Sequence, residues 1–215
     1  MTKMTQEFNA YIEKFKATKP EEVQLKMQNA IEELEASDEG NGLKQGGKAP
    51  NFNLPNAAGQ TVELYEQLKQ GPVVLTFYRG NWCPYCNMEL RAYQEIIGEI
   101  HGQGAELIAI SPQTPDQSMS IQEKHNLEYL VLSDESNVVA KQFNLVYQLP
   151  EYLIALYKEI GLNVDEYNGD ETWTLPVSAT YIIQTDGTIA FEYTKSDYKD
   201  RIEPSNVLEK LKQIN

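Results

Sequence analysis

Two cysteines, two histidines and no long apolar run are what this chain of 215 residues offers, and each scarcity excludes something. No stretch approaches the roughly 20 consecutive apolar residues that a membrane-spanning helix needs. A structural zinc ion wants four ligands, and His101 and His125 are the only soft donors beside the cysteines. Positive charge is also short. Lys plus Arg total 18 against 32 Asp plus Glu, and the net charge of -14 repels phosphate backbones and anionic lipid surfaces. Neither nucleic acid nor a membrane is an expected partner. The start of the chain, Met1-Thr-Lys-Met-Thr-Gln-Glu-Phe8, has no apolar stretch of the signal-peptide kind. The expected address is therefore cytoplasmic, where a thiol pair stays largely reduced and a static disulfide is not expected.

What is present concentrates in four residues. Cys83-Pro84-Tyr85-Cys86 holds both cysteines and directly follows an apolar run, Val73 to Tyr78, that reads as a buried strand. A strand delivering two thiols into the start of a helix is a redox site. Two intervening residues let both sulfurs occupy the first helical turn and close a small disulfide with little backbone movement. The helix start offers unpaired N–H groups and partial positive charge, which favour thiolate over thiol, so the first thiol, Cys83, is expected to be the attacking one.

The rest of the chain falls into two textures. Residues 1–45 read as a helical N-terminal extension, with Phe8, Tyr11, Ile12 and Phe15 and then Val23, Leu25, Met27, Ile31 and Leu34 at helical spacing. A break near Lys19-Pro20 splits it in two, with Thr18 as the expected cap. Residues 46–215 alternate short strands with helices. A small hairpin is predicted over Phe52–Leu54 and Thr61–Leu64, followed by strands at 73–78, 106–110 and 129–132. Helices are predicted from the cysteines to His101, from Thr114-Pro115 onward, and over 134–143 and 149–157. A closing hairpin spans 179–193 around Thr185-Asp186-Gly187, and Ser205 is the expected cap of a last helix. That order suits an α/β sandwich around a mixed central sheet.

Several strings here resemble the alkyl hydroperoxide reductase and thiol-specific antioxidant family, the peroxiredoxins. They are Lys48-Ala-Pro-Asn-Phe-Asn-Leu-Pro55, the segment Leu132 to Phe143, and Tyr181-Ile-Ile-Gln-Thr-Asp-Gly187. Phe77-Tyr-Arg-Gly-Asn-Trp-Cys-Pro-Tyr-Cys-Asn-Met-Glu-Leu90 is similar to the branch of that family carrying a CxxC pair. The resemblance implies a thioredoxin-like sandwich of peroxiredoxin type, no cofactor and no metal. It also implies a small-molecule or protein disulfide or peroxide as substrate, and an external thiol reductant of thioredoxin or glutathione type; a homodimer is compatible with it.

Two alignments of the pair follow. In the peroxiredoxin frame Cys86 matches the peroxidatic cysteine, the family's proline falls on Arg79 and its hydroxyl on Cys83. The family's arginine then falls near Ser178, leaving two of three peroxide-activating groups absent and predicting slow reaction with hydrogen peroxide. In the thioredoxin and glutaredoxin frame Cys83 attacks, Cys86 resolves, Phe77 stands where thioredoxins bury an aspartate, and Leu175-Pro176 matches their cis proline. Trp82, Pro84, Tyr85 and Pro176 would then surround the sulfurs, Glu89 is a candidate proton acceptor, and Arg79 is either a cation near the thiols or an exposed strand-end residue.

The leading expectation is thus a thiol-disulfide oxidoreductase. A thiol peroxidase and a redox-sensing binding module are its alternatives.

Overall fold

The computed structural model describes residues 2–214. Two amphipathic helices come first, α1 (Lys3–Thr18) and α2 (Glu21–Glu35). The break between them falls where proline predicted it, but the capping differs. Pro20 is itself the N-cap of α2, and the Thr18 hydroxyl turns back to donate to the Lys14 carbonyl at 2.7 Å. A threonine at a helix end satisfies its hydroxyl on the preceding turn when a following proline sets the next helix's entry.

After a connection tied down by Gly42 N–H to Asn144 O and Gly46 N–H to Ile189 O come β1 (Asn53–Pro55), β2 (Thr61–Glu63) and the short α3 (Leu64–Leu68). Then follow β3 (Val73–Phe77), α4 (Pro84–Gly102), β4 (Glu106–Ser111), α5 (Pro115–His125) and β5 (Leu130–Ser133). The helix predicted over 134–143 starts as a tight 3₁₀ turn and becomes α6 (Val138–Gln142), because Ser136 and Asn137 adopt positive φ. A ribbon of β6 (Val146–Gln148) and β7 (Thr174–Pro176) brackets α7 (Glu151–Glu159) and α8 (Val164–Asn168). The chain closes with β8 (Ala179–Ile183), β9 (Ile189–Thr194) and α9 (Pro204–Ile214). Ser205 lies inside α9 rather than capping it, since Pro204 already occupies the first helical position. The β6/β7 ribbon, α3 and α8 carry too few periodic residues to be legible as sequence.

The central sheet has the order β5-β4-β3-β8-β9, with β3, β4 and β5 parallel and β8 and β9 antiparallel. This is the mixed α/β sandwich predicted. Helices cover both faces, so β3 reads as a nearly continuous apolar run, interrupted only by Thr76, instead of an alternating one. Its side chains still alternate in space. Val73, Leu75 and Phe77 enter the layer containing Phe143 and Tyr181, while Val74 and Tyr78 enter the layer of α4 and α9 with Leu90, Tyr93, Val207 and Leu211. Met4 and Phe8 of α1 join that second layer, which also contains both cysteines. Among the described residues no helix is long and apolar enough to cross a membrane.

Candidate active site

β3 is the central strand, and its C-terminal end delivers the loop Tyr78 to Trp82 to the start of α4. Cys83 is the N-cap residue of α4 in extended conformation, Pro84 follows at the first helical position, and Cys86 lies within the first turn. Gly80 makes the loop possible. Its φ is +150°, and a Cβ there would come within 2.5 Å of Trp82 Nε1. Side chains that sequence reasoning did not single out hold the loop from behind. Gln113 Oε1 accepts from the Asn81 amide N–H at 2.7 Å while its Nε2 donates to Asn81 Oδ1, and Asn87 Nδ2 donates to the Asn81 carbonyl.

Both sulfurs are buried, and their surroundings differ. Arg201 Nη2 lies 3.3 Å from Cys86 Sγ, and the Arg79 backbone N–H donates to the same sulfur. Burial alone would push the Cys86 thiol up. The Cys83 thiol donating to it, the Arg201 guanidinium and the Arg79 amide outweigh that and hold Cys86 well below the ordinary cysteine range. Cys83 sits well above that range, because burial, its hydrogen bond to Cys86 and the charge on Cys86 together exceed the pull of Arg79 and Arg201. These opposite directions favour Cys86 over Cys83 as the thiolate. The expectation that the helix start would ionise the first thiol runs against these directions, and the reason is local: a guanidinium in hydrogen-bond contact acts more strongly than a half-charge spread over the first N–H groups of the helix.

Arg201 is the residue the sequence reading missed. It lies between β9 and α9, 115 positions from Cys86 in the chain, whereas the family pattern directed attention to Ser178. Ser178 is buried, and its hydroxyl has no hydrogen-bond partner among the described residues. One signal was available: the chain has three arginines, Arg79, Arg91 and Arg201, and two of them meet the thiols. The Arg201 side chain is only 3% exposed, donates from Nε to the Tyr198 carbonyl at 3.0 Å, and forms an ion pair through Nη1 with Glu89. Glu89 stands one turn beyond Cys86, buried. Desolvation pushes its carboxyl up, Arg201 pulls it down, and the result lies near 7, raised to about 7 from its ordinary value.

Of the other predicted site residues, Arg79 belongs to the site and is not an exposed strand-end residue. It is 3% exposed, donates from Nη2 to Tyr157 Oη at 3.0 Å, and stacks over the rings of Trp82 and Tyr198 at 4.9 and 4.2 Å. Trp82, Pro84 and Tyr85 line a cavity of about 540 Å³ beside Cys83. Tyr85 packs edge-on against Phe8 and Tyr11 of α1 at 5.2 and 5.3 Å, coupling that helix to the thiols. Pro176 does not join them. It pairs with Val146 in the β6/β7 ribbon, and among the described residues no peptide bond is cis, so the cis-proline contact expected from the thioredoxin frame is absent. Phe77, at the aspartate position of that frame, packs on Phe143 in the opposite layer. His101 lies against Glu106 and His125 against Asn87.

A cysteine pair at the N-terminus of a helix, fed by the central strand of a mixed sheet and covered on both faces, defines a thiol-redox protein of the thioredoxin-like, peroxiredoxin type. The chain belongs to the AhpC/TSA family, whose profile matches residues 45–192. It is similar to "Peroxiredoxin Bcp" of Bacillus subtilis (strain 168), 29% identical over 173 residues, which cover 80% of this chain and 98% of that one. It is 28% identical over 151 residues to "Peroxiredoxin Q, chloroplastic" of Gentiana triflora; that match covers 70% of this chain but spans only 59% of the gentian protein's length. In three dimensions it resembles the peroxidoxin BcpB of Mycobacterium tuberculosis with a TM-score of 0.64, at 23% identity, over 80% of this chain and 99% of that chain.

Proposed function

We propose that the chain is a thiol peroxidase in which Cys86 attacks the peroxide and Cys83 resolves the product. The observation that carries this reading is the guanidinium of Arg201 against the Cys86 sulfur, anchored by Glu89. It supplies the cation that the family pattern placed near Ser178. The Cys86 thiolate bonds to one peroxide oxygen, the O–O bond breaks, and the departing oxygen takes a proton and leaves as water or alcohol. Negative charge migrates from sulfur to the departing oxygen in that step, and a fixed guanidinium stabilises it without reorganisation. Cys83 takes the place of the family's hydroxyl as the donor to Cys86.

Resolution follows from the same charges. Once Cys86 carries a sulfenic acid, the negative charge that held Cys83 protonated is gone. Cys83 then attacks the Cys86 sulfur, water leaves, and a Cys83–Cys86 disulfide forms that an external thiol reductant reduces. The disulfide-reductase reading gave Cys83 the attacking role, and it loses ground because the cation and the thiolate both lie at Cys86. A cytoplasmic setting fits the need for a standing thiol supply.

The test is a single-turnover experiment on reduced protein mixed with hydrogen peroxide, followed by Trp82 fluorescence and by intact mass. Oxidation should exceed that of a free cysteine thiolate by at least about 10²-fold, the usual worth of one preorganised donor. The product should lose two hydrogens and regain them with dithiothreitol. A rate no greater than that of free cysteine would remove the peroxidase reading.

A further inference from the structure

Cys83 lines the cavity described above, while Cys86 lies behind it. One wall is built by the loop and helix start from Arg79 to Tyr85, another by Tyr11, Phe15, Gln24 and Leu25 of α1 and α2. A volume of about 540 Å³ lies in the range of small-molecule sites, roughly 300–1,000 Å³. A protein dithiol would have to bring its sulfur past two helices to reach a thiol that is 1% exposed. A small thiol would not.

The charged residues that line the cavity are mostly cationic, and Arg79, 3% exposed, is one of them. Lys16, Lys19 and Lys199 line the same cavity in a chain of net charge -14. Lys16 is paired with Glu13 and Lys199 with Asp197, and Glu21 lines the cavity as well; Lys19 has no ion pair among the described residues.

We propose that this cavity binds a low-molecular-weight thiol bearing carboxylates, which reduces the protein by attacking Cys83. The inference rests on the proposed peroxidase cycle and names its reductant class. The incoming thiolate bonds to Cys83 Sγ, the Cys83–Cys86 bond breaks, and Cys86 departs as the thiolate that Arg201 stabilises. A sulfur with a depressed pKa is the better leaving group, so attack at Cys83 is also the faster direction. A second molecule of the same thiol then attacks the mixed disulfide, releasing its oxidised dimer and Cys83.

The experiment uses the full chain oxidised to the disulfide with diamide, so that it does not depend on the peroxide step. Glutathione serves as the anionic probe, cysteamine as the cationic one and a reduced thioredoxin as the protein dithiol. Reduction by glutathione should saturate and should exceed that by cysteamine, at equal thiolate concentration, by about fivefold, the factor one good surface ion pair supplies. Lys19→Gln should raise the half-saturating glutathione concentration more than that of cysteamine, and Cys86→Ser treated with glutathione disulfide should carry a glutathionyl group on Cys83. Reduction by thioredoxin alone, or linear small-thiol kinetics without a charge preference, would overturn the proposal and leave the peroxide step standing. Failure of the single-turnover peroxide experiment above would instead strike the underlying cycle.

Discussion

Cys86→Ser is expected to abolish peroxide consumption, whereas Cys83→Ser should still undergo one fast oxidation and stop at a sulfenic acid on Cys86. The asymmetry follows from placement. Cys86 has the guanidinium, the Arg79 amide and the depressed pKa; Cys83 has none of the three to itself and is held protonated. In the thioredoxin frame the outcome reverses, with Cys83→Ser inert. Dimedone labelling followed by mass spectrometry of each variant after one equivalent of hydrogen peroxide distinguishes them. Serine is close in size to cysteine, so both variants should keep the fold.

Arg201→Met should slow the oxidation of Cys86 by about 10²- to 10³-fold, as removal of one oxyanion-type donor does elsewhere. The loss has two sources: the developing charge on the departing oxygen is unpaired, and the thiolate population at neutral pH falls because its nearest cation is gone. Glu89 would lose its partner as well. Its carboxyl, already raised to about 7 by burial, would take up a proton more readily, which spares the variant a buried unpaired charge. Arg201→Lys keeps the charge without the two-pronged contact to Glu89 and Cys86, and should recover part of the rate. Stopped-flow kinetics across pH separates the two sources. If the thiolate population alone matters, Arg201→Met regains the full rate at alkaline pH; the account expects a residual deficit there.

How far the site was legible before the coordinates depended on distance along the chain. The cysteine pair, the strand feeding it and the helix it opens are one contiguous segment, so their apolar run, spacing and N1 proline were sufficient. The two parallel strands after it were equally plain, because strands covered on both faces are nearly all apolar. Arg201 was not legible. It reaches Cys86 from beyond β9, and nothing in Tyr198-Lys-Asp-Arg201 distinguishes it from a solvated turn until α4 and α9 pack together. Arg79 was ambiguous for the same reason: its burial depends on Tyr157 and Tyr198, both supplied by distant segments. Pro176 misled in the other direction. The dipeptide stands before the right strand, but its backbone is spent on a separate ribbon with Val146.

The central claim is that the thiolate belongs to Cys86, and thiolate ultraviolet absorbance titrated against pH in the reduced wild type and the two serine variants tests it most directly. A thiol whose pKa is depressed keeps its charge as pH falls below the ordinary cysteine range and loses it only on passing the depressed value; a raised one gains charge only in alkali. Wild type and Cys83→Ser should therefore both show one thiolate at neutral pH that persists on the acid side. Its persistence should weaken in Cys83→Ser, where the hydrogen bond from Cys83 is altered. Cys86→Ser should lack the acid-persistent thiolate, and its buried Cys83, relieved of the charge on Cys86, should ionise only at higher pH than Cys86 does in the other two proteins. An acid-persistent thiolate that survives in Cys86→Ser and vanishes in Cys83→Ser would contradict the account and return the attacking role to Cys83.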